Sequence, residues 1–264
     1  MEDRFYNYNR KNTALTIEEE SEYQITSEHL KDAVVVNSSL GSKLVMSNYK
    51  KDKEHLTRYS TLVRKNFGHY VESTKIIKTY YDTDDMFFHS VGINICETID
   101  KKHKEKEIIV RYDSNVERIT YLKFLPDTYY LKVKTGDKIS KHLDFIESAI
   151  LQLITNGLQT NVMNLLKTIK PLIMVNKDRE IWNYALPNKL IVNFNFDRCV
   201  YSTTKNRDKY KVDILEITAE NKPNEFSDVY NNFIKDLIMD LPTLIEAKHS
   251  DLFIGLDYLL DIRK

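Results

Sequence analysis

The sequence has few of the residues that punctuate a chain. Its 264 residues include six glycines and five prolines, so turns fall mainly to Asp, Asn, Ser and Thr, and collagen-like or low-complexity architectures are excluded. Cys96 and Cys199 lie far apart in strand-like runs. They form no C-x-x-C pair and no disulfide framework, and are read as reduced core thiols. No apolar stretch reaches the length of about 18 residues that a membrane helix requires, and residues 1–12 are polar with no apolar signal core. A cytoplasmic protein without membrane contact is the expectation. Charge of one sign is missing too: 39 basic and 39 acidic side chains cancel, so no global field gathers nucleic acid and no extended nucleic-acid surface is expected. A polyanion has to be held by a local cluster. The seven histidines show no metal-ligand spacing, and the chain lacks the G-x-G-x-x-G, Walker, H-E-x-x-H and G-x-S-x-G signatures.

What is present is a series of short β-branched and aromatic runs. Strands are expected at Lys75–Tyr81, Val91–Ile99, Glu107–Tyr112, Val116–Phe124, Tyr129–Lys134, Leu172–Val175, Ile181–Ala185, Leu190–Phe196 and Tyr210–Ala219. Helical spacing predicts helices near 53–66, from Leu143 to Ile154, from Asn161 to Thr168, from Phe226 to Met239 and from Leu252 to Ile262. Strands follow one another through short polar turns, which favours antiparallel pairing over a doubly wound parallel sheet. Eight to ten such strands approach the size at which sheets curl or close.

Polar residues alternate along several strands, and residues two apart share a face. Glu18, Glu20, Glu22 and Gln24 line one face of a first extended segment. Lys177 and Arg179 share a face, as do Asn193, Asn195 and Asp197, and likewise Glu216, Thr218 and Glu220. Side-by-side carboxylates repel, and a hard divalent cation relieves that repulsion. The pattern fits a solvent-facing sheet surface or the polar lumen of a closed sheet, and the residues alone leave both open.

The segment Tyr80-Tyr81-Asp82-Thr83-Asp84-Asp85-Met86, followed by Gly92-Ile93, resembles the strand and turn of the CYTH, or triphosphate tunnel, family. Glu20-Ser21-Glu22-Tyr23-Gln24 resembles that family's first E-x-E-x-K strand. Lys177-Asp178-Arg179 resembles its basic strand, Asp197 the aspartate of the next, and Leu215-Glu216-Ile217 its late acidic strand. The resemblance implies an α+β fold: one domain over 1–264, its antiparallel sheet closed or nearly closed into a tunnel or barrel with flanking helices, and extra segments near 27–70 and 113–142. It implies hydrolysis of a triphosphate, inorganic or nucleotide, with Mg²⁺ or Mn²⁺. Glu20, Glu22 and Glu216 would then lie on the metal side, Arg111, Lys177 and Arg179 would grip phosphates, and Glu22 and Asp197 would be catalytic. The chain departs from the family at Gln24, Cys96 and Thr98, where the family carries cations, and at Thr218, where it carries a glutamate. Each lost charged hydrogen bond removes roughly 1.5–3 kcal/mol of phosphate binding. Two further readings therefore stand beside the hydrolase: a catalytically weak or inactive binding protein on the same scaffold for a nucleotide, polyphosphate or protein partner, and an unrelated β-rich interaction protein.

Overall fold

The alternating runs form long antiparallel strands. A computed structural model describes residues 34–37, 41–64, 68–113, 128–153, 161–186, 190–204, 209–219, 223–241, 243–246 and 251–259. The expected strand at Val116–Phe124 and the acidic segment with Glu20 and Glu22 lie outside these. The chain falls into two compact units, 1–37 with 80–98 and 105–170, and 38–79 with 99–104 and 171–264.

The first unit contains β1 (Val34–Asn37), most of β4 (Ile93–Asp100), β5 (Glu105–Asp113) and β6 (Thr128–Lys134), in the order β1-β6-β5-β4. Helices α3 (Leu143–Leu153) and α4 (Val162–Leu166) also belong to it. The apolar face of α3 supplies Phe145, Ile146, Ala149 and Ile150 to a core shared with Ile93, Ile95, Ile108 and Val110.

The Tyr80–Met86 segment acts structurally in this unit. It leads into the one-turn helix α2 (Phe87–Ser90) through Met86 in the left-handed conformation. Asp82 accepts from the backbone N–H groups of Thr83 at 2.7 Å, Phe88 at 3.0 Å and His89 at 2.8 Å. Burial pushes the Asp82 carboxyl up, and those three donors pull it the other way. Gly92 follows at φ 79°, a conformation that favours glycine. Asp82→Ala leaves three donors without this acceptor, two of them buried. It is expected to destabilise this unit by about 2 kcal/mol, at the upper end for a lost cap, as read by urea unfolding.

The second unit contains β2 (Gly41–Met46), most of β3 (His69–Asp82), most of β7 (Lys170–Ala185), β8 (Ile191–Thr203), β9 (Lys209–Ala219) and β10 (Ile245–Glu246), in the order β3-β7-β8-β9-β2-β10. The registers Lys177↔Cys199, Arg179↔Asp197, Asn195↔Glu216 and Glu216↔Lys43 fix the two faces. One face is apolar. Leu44, Phe194, Phe196, Leu215 and Ile217 pack there with Leu56 of α1 (Tyr49–Arg64) and with Tyr230, Phe233, Ile234 and Leu237 of α5 (Pro223–Asp240). The i, i+3, i+4, i+7 spacing of those four α5 residues is the amphipathic stripe read in the sequence.

The other face carries the polar residues. A short helix, α6 (Asp251–Leu259), lies against its apolar end. A Cβ on Gly255 would stand 2.7 Å from Ile173 Cγ2 and 3.2 Å from Tyr201 Cδ1. Helix and sheet therefore approach more closely there than any larger residue allows.

Both strand orders are linear, and neither returns to its first strand among the described residues. The sheet is antiparallel with flanking helices, as expected, but it is not closed. The end strand β10 has only two residues, too few to carry a closing ladder. A second difference lies in β7. The expected strands Leu172–Val175 and Ile181–Ala185 are one strand, because Asn176–Glu180 pairs with β8 throughout and the ladder runs through Lys177 and Arg179.

Candidate functional site

The polar face of the second unit gathers one charged cluster. Lys78 on β3, Lys177 and Arg179 on β7, Asp197 on β8, Glu216 on β9 and Lys43 on β2 come from five successive strands. Asp251, the first residue of α6, completes it. Arg179 holds Asp197 bidentately, Nε to Oδ1 at 2.7 Å and Nη2 to Oδ2 at 2.7 Å, and also pairs with Glu216. Lys177 Nζ lies 3.2 Å from Asp197 Oδ2 and 2.9 Å from Asp251 Oδ2. Asp251 further accepts from Lys43 at 2.9 Å and Lys78 at 2.8 Å.

The inner members are sealed. The side chains of Lys177 and Asp197 are 0% exposed and that of Asp251 1%, whereas Lys43 and Lys78 keep 17% and 23%. Charges this deep persist only when paired. Burial opposes the charge on Lys177, yet Asp251 and Asp197 hold its pKa above the ordinary lysine value. Burial also opposes the Arg179 charge and is outweighed by Asp197 and Glu216. For Lys43 burial wins, and its pKa lies below the ordinary value despite Asp251. Burial disfavours both other carboxylates, but Arg179, Lys43 and Lys177 hold Glu216 well below the usual range, and Lys177, Lys43 and Lys78 do the same for Asp251. Burial pushes the neighbouring Cys199 thiol up to about 12. It is therefore protonated at neutral pH and unsuited to nucleophilic attack.

Of the residues singled out in the sequence, Lys177, Arg179, Asp197 and Glu216 meet here. Glu20 and Glu22 lie outside the described residues. Arg111 sits on β5 in the first unit, opposite Tyr130 of β6. Lys43, Lys78 and Asp251 were not anticipated. Lys43 lies in a segment of weak patterning, and Lys78 and Asp251 are joined across 173 positions, a pairing that strand periodicity does not encode.

Four basic side chains against three carboxylates leave one positive charge in excess when Lys43 is protonated, on a face where lysines act as point-charge donors and Arg179 as a planar fork. That inventory suits an oxyanion. It does not by itself suit Mg²⁺ or Mn²⁺. Among the described residues no three His, Cys, Asp or Glu side chains are placed to hold a metal ion together, and Glu216 is engaged with Arg179. Arg179 also lines a groove of about 1040 Å³ with Tyr49, Lys53, Lys75 and Trp182. Two lysines there are already paired, Lys53 to Glu180 at 2.6 Å and Lys75 to Asp178 at 3.4 Å. No helix among the described residues is long and apolar enough to cross a membrane.

No protein-family model and no curated protein matches the sequence. Solved structures align with its fold. One is a Hippeastrum protein proposed as an adenylyl cyclase and reported to have a dominant triphosphatase activity, with TM-score 0.48, 9% identity, and coverage of 83% of this chain and 96% of that one. A protein of Pyrococcus horikoshii OT3 aligns with TM-score 0.45 and 13% identity over 83% of this chain and 99% of its own. The RNA triphosphatase of S. pombe aligns with TM-score 0.32 and 12% identity over 78% and 74%. The structures to which this fold is similar thus include proteins described as adenylyl cyclases and as triphosphatases, and the likeness is one of fold alone.

Proposed function

We propose that the second unit grips the phosphates of a triphosphate, inorganic or nucleotide, through Lys43, Lys78, Lys177 and Arg179, and that the chain hydrolyses it with Mg²⁺ or Mn²⁺. The observation that carries this reading is the convergence of four cations from β2, β3 and β7 on one sheet face. Phosphoryl transfer asks mainly for positioning and charge neutralisation, which such a cluster supplies. In this reading Asp197 keeps Lys177 and Arg179 charged and aimed. Glu216, with Glu20 and Glu22, forms the metal side, and the metal would neutralise phosphate charge. Arg111 is assigned to phosphate by the sequence resemblance alone.

The same geometry supports a curled sheet. Strands β3 and β2 are four steps apart in the order, about 19 Å in a flat sheet at roughly 4.8 Å per step. Lys78 and Lys43 nevertheless meet on one carboxylate, which strands wrapping around the cluster would allow.

A second reading, binding without turnover, is favoured by one observation: Asp197 and Glu216 are both committed to Arg179. Phosphate release from tripolyphosphate and from ATP, with Mg²⁺ or Mn²⁺, separates the two. Hydrolysis predicts release that Glu22→Gln lowers by about 100-fold or more, the scale of a lost electrostatic stabiliser. Binding alone predicts no release but a thermal upshift, worth about 2.7 kcal/mol when the ligand stands at 100 times its Kd. Neither release nor upshift overturns both.

A further inference from the structure

Asp251 is the one member of the cluster that comes from neither sheet strand nor sequence motif. Its carboxylate is almost sealed from solvent and accepts from three lysines on three strands, with the Tyr201 hydroxyl at 3.5 Å. Such a seat of convergent ammonium donors does not distinguish a carboxylate from a phosphate oxygen, since each ammonium is a compact point charge. The helix that delivers the carboxylate is short, nine residues, and stands outside the strand ladders. Its N-terminus favours an acidic first residue through the helix dipole, which helps to seat it. Two of the three lysines retain contact with solvent on their outer side, so an anion arriving from there meets Lys43 and Lys78 first.

We infer that Asp251 is an internal substitute for a substrate phosphate: α6 holds its carboxylate in the Lys43–Lys78–Lys177 seat, and a bound triphosphate takes that seat by displacing it. The inference rests on the triphosphate reading and adds regulation of that same site. The resting protein is self-occupied. Its apparent affinity for a polyphosphate is the intrinsic affinity multiplied down by the fraction of molecules in which α6 has withdrawn. Displacement breaks no strand pairing among the described residues, because α6 lies outside the ladders, and it releases contacts of α6 with the sheet that include the close approach at Gly255.

The test uses the full chain and tripolyphosphate as probe. Calorimetric titration should show Asp251→Asn binding tripolyphosphate at least about tenfold more tightly than wild type, the effect of removing an internal competitor. Without ligand the variant should melt at a lower temperature, because three lysines lose their shared counter-charge. Hydrogen exchange on the wild-type chain is the second measurement and needs no variant. Saturating tripolyphosphate should speed exchange of the α6 amides by about tenfold or more, the signature of local opening, while amides of β7 and β8 slow. Equal or weaker binding by the variant, or α6 amides that slow on binding, would overturn the inference and make Asp251 a fixed structural anchor. In that outcome the triphosphate reading survives, since wild type still binds. If neither wild type nor variant binds tripolyphosphate, the reading and the inference fall together.

Discussion

Asp197→Ala is expected to destabilise the second unit by about 3–5 kcal/mol, the range for removing one partner of a buried charge pair. Asp197 is 0% exposed and bonds to both Arg179 and Lys177. Its loss leaves Lys177, which is sealed from water, short of a counter-charge and takes the bidentate partner from Arg179. Asp251 and Glu216 soften the loss, since each still faces one of those cations, but they are shared already. Trp182 is the chain's one tryptophan and lies on β7 within the same unit. Its fluorescence during urea unfolding therefore reports on the unit that carries the mutation. A double variant, Lys177→Met with Asp197→Leu, removes the charge together with its partner and should recover part of the loss, because apolar replacement of a whole buried pair is often tolerated. The mutant cycle gives the coupling directly. A loss below about 1 kcal/mol for Asp197→Ala, the size of a surface pair, would show that the cluster is not sealed in solution.

The faces of this cluster were legible before its partners were. Asn193 through Asp197, and Glu216 with Thr218, alternate with apolar residues, Lys177 and Arg179 stand two apart on one strand face, and the registers set these positions side by side on one face. Alternation reveals that a face is polar. It does not reveal what lies over that face, so neither α6 nor Asp251 could be placed from spacing. Lys43 was missed because β2 is six residues long and its Gly41-Ser42-Lys43 opening reads as turn. The run Asn176–Glu180 falls between the expected strands Leu172–Val175 and Ile181–Ala185, because five polar residues in succession carry no apolar alternation. Here alternate ones turn to the cluster and the rest to solvent or to the other face. The Tyr80–Met86 segment carried the family resemblance, and its physical content is a capped turn held by Asp82. A motif can therefore mark a scaffold while the charge chemistry sits on other strands. A closed or nearly closed sheet was what the family resemblance implied; strand number only approaches the size at which sheets curl or close, and number alone does not fix how the end strands meet.

Acid should weaken the second unit steeply, and Asp251→Asn should blunt the effect. Glu216 and Asp251 are held well below the ordinary carboxylate range by the surrounding cations. Their ordinary values, which apply in the unfolded chain, are about 4.3 and 3.9. The unfolded chain therefore takes up protons first as pH falls. The stability these groups contribute is complete above about pH 5 and declines below about pH 4 until the folded-state values are passed. Two such groups give a slope of about 2.7 kcal/mol per pH unit in that window, at roughly 1.36 kcal/mol each. Asp100, lowered to about 2 with hydrogen bonds from Thr74 and His103 outweighing burial, and Glu180, lowered by Lys53 and Trp182 against burial, act in the same direction from more exposed positions. Asp213, pushed up by burial, acts against them. Urea unfolding followed by Trp182 fluorescence between pH 5 and pH 3 (roughly the interval over which ordinary carboxylates protonate) should show the slope steepening toward that limiting value for wild type and toward about half of it for Asp251→Asn. High salt should change the slope little, because ions screen buried pairs far less than exposed ones. A slope unchanged by the substitution would place the acid-sensitive carboxylates elsewhere and remove Asp251 from the charged network on which the anion seat depends.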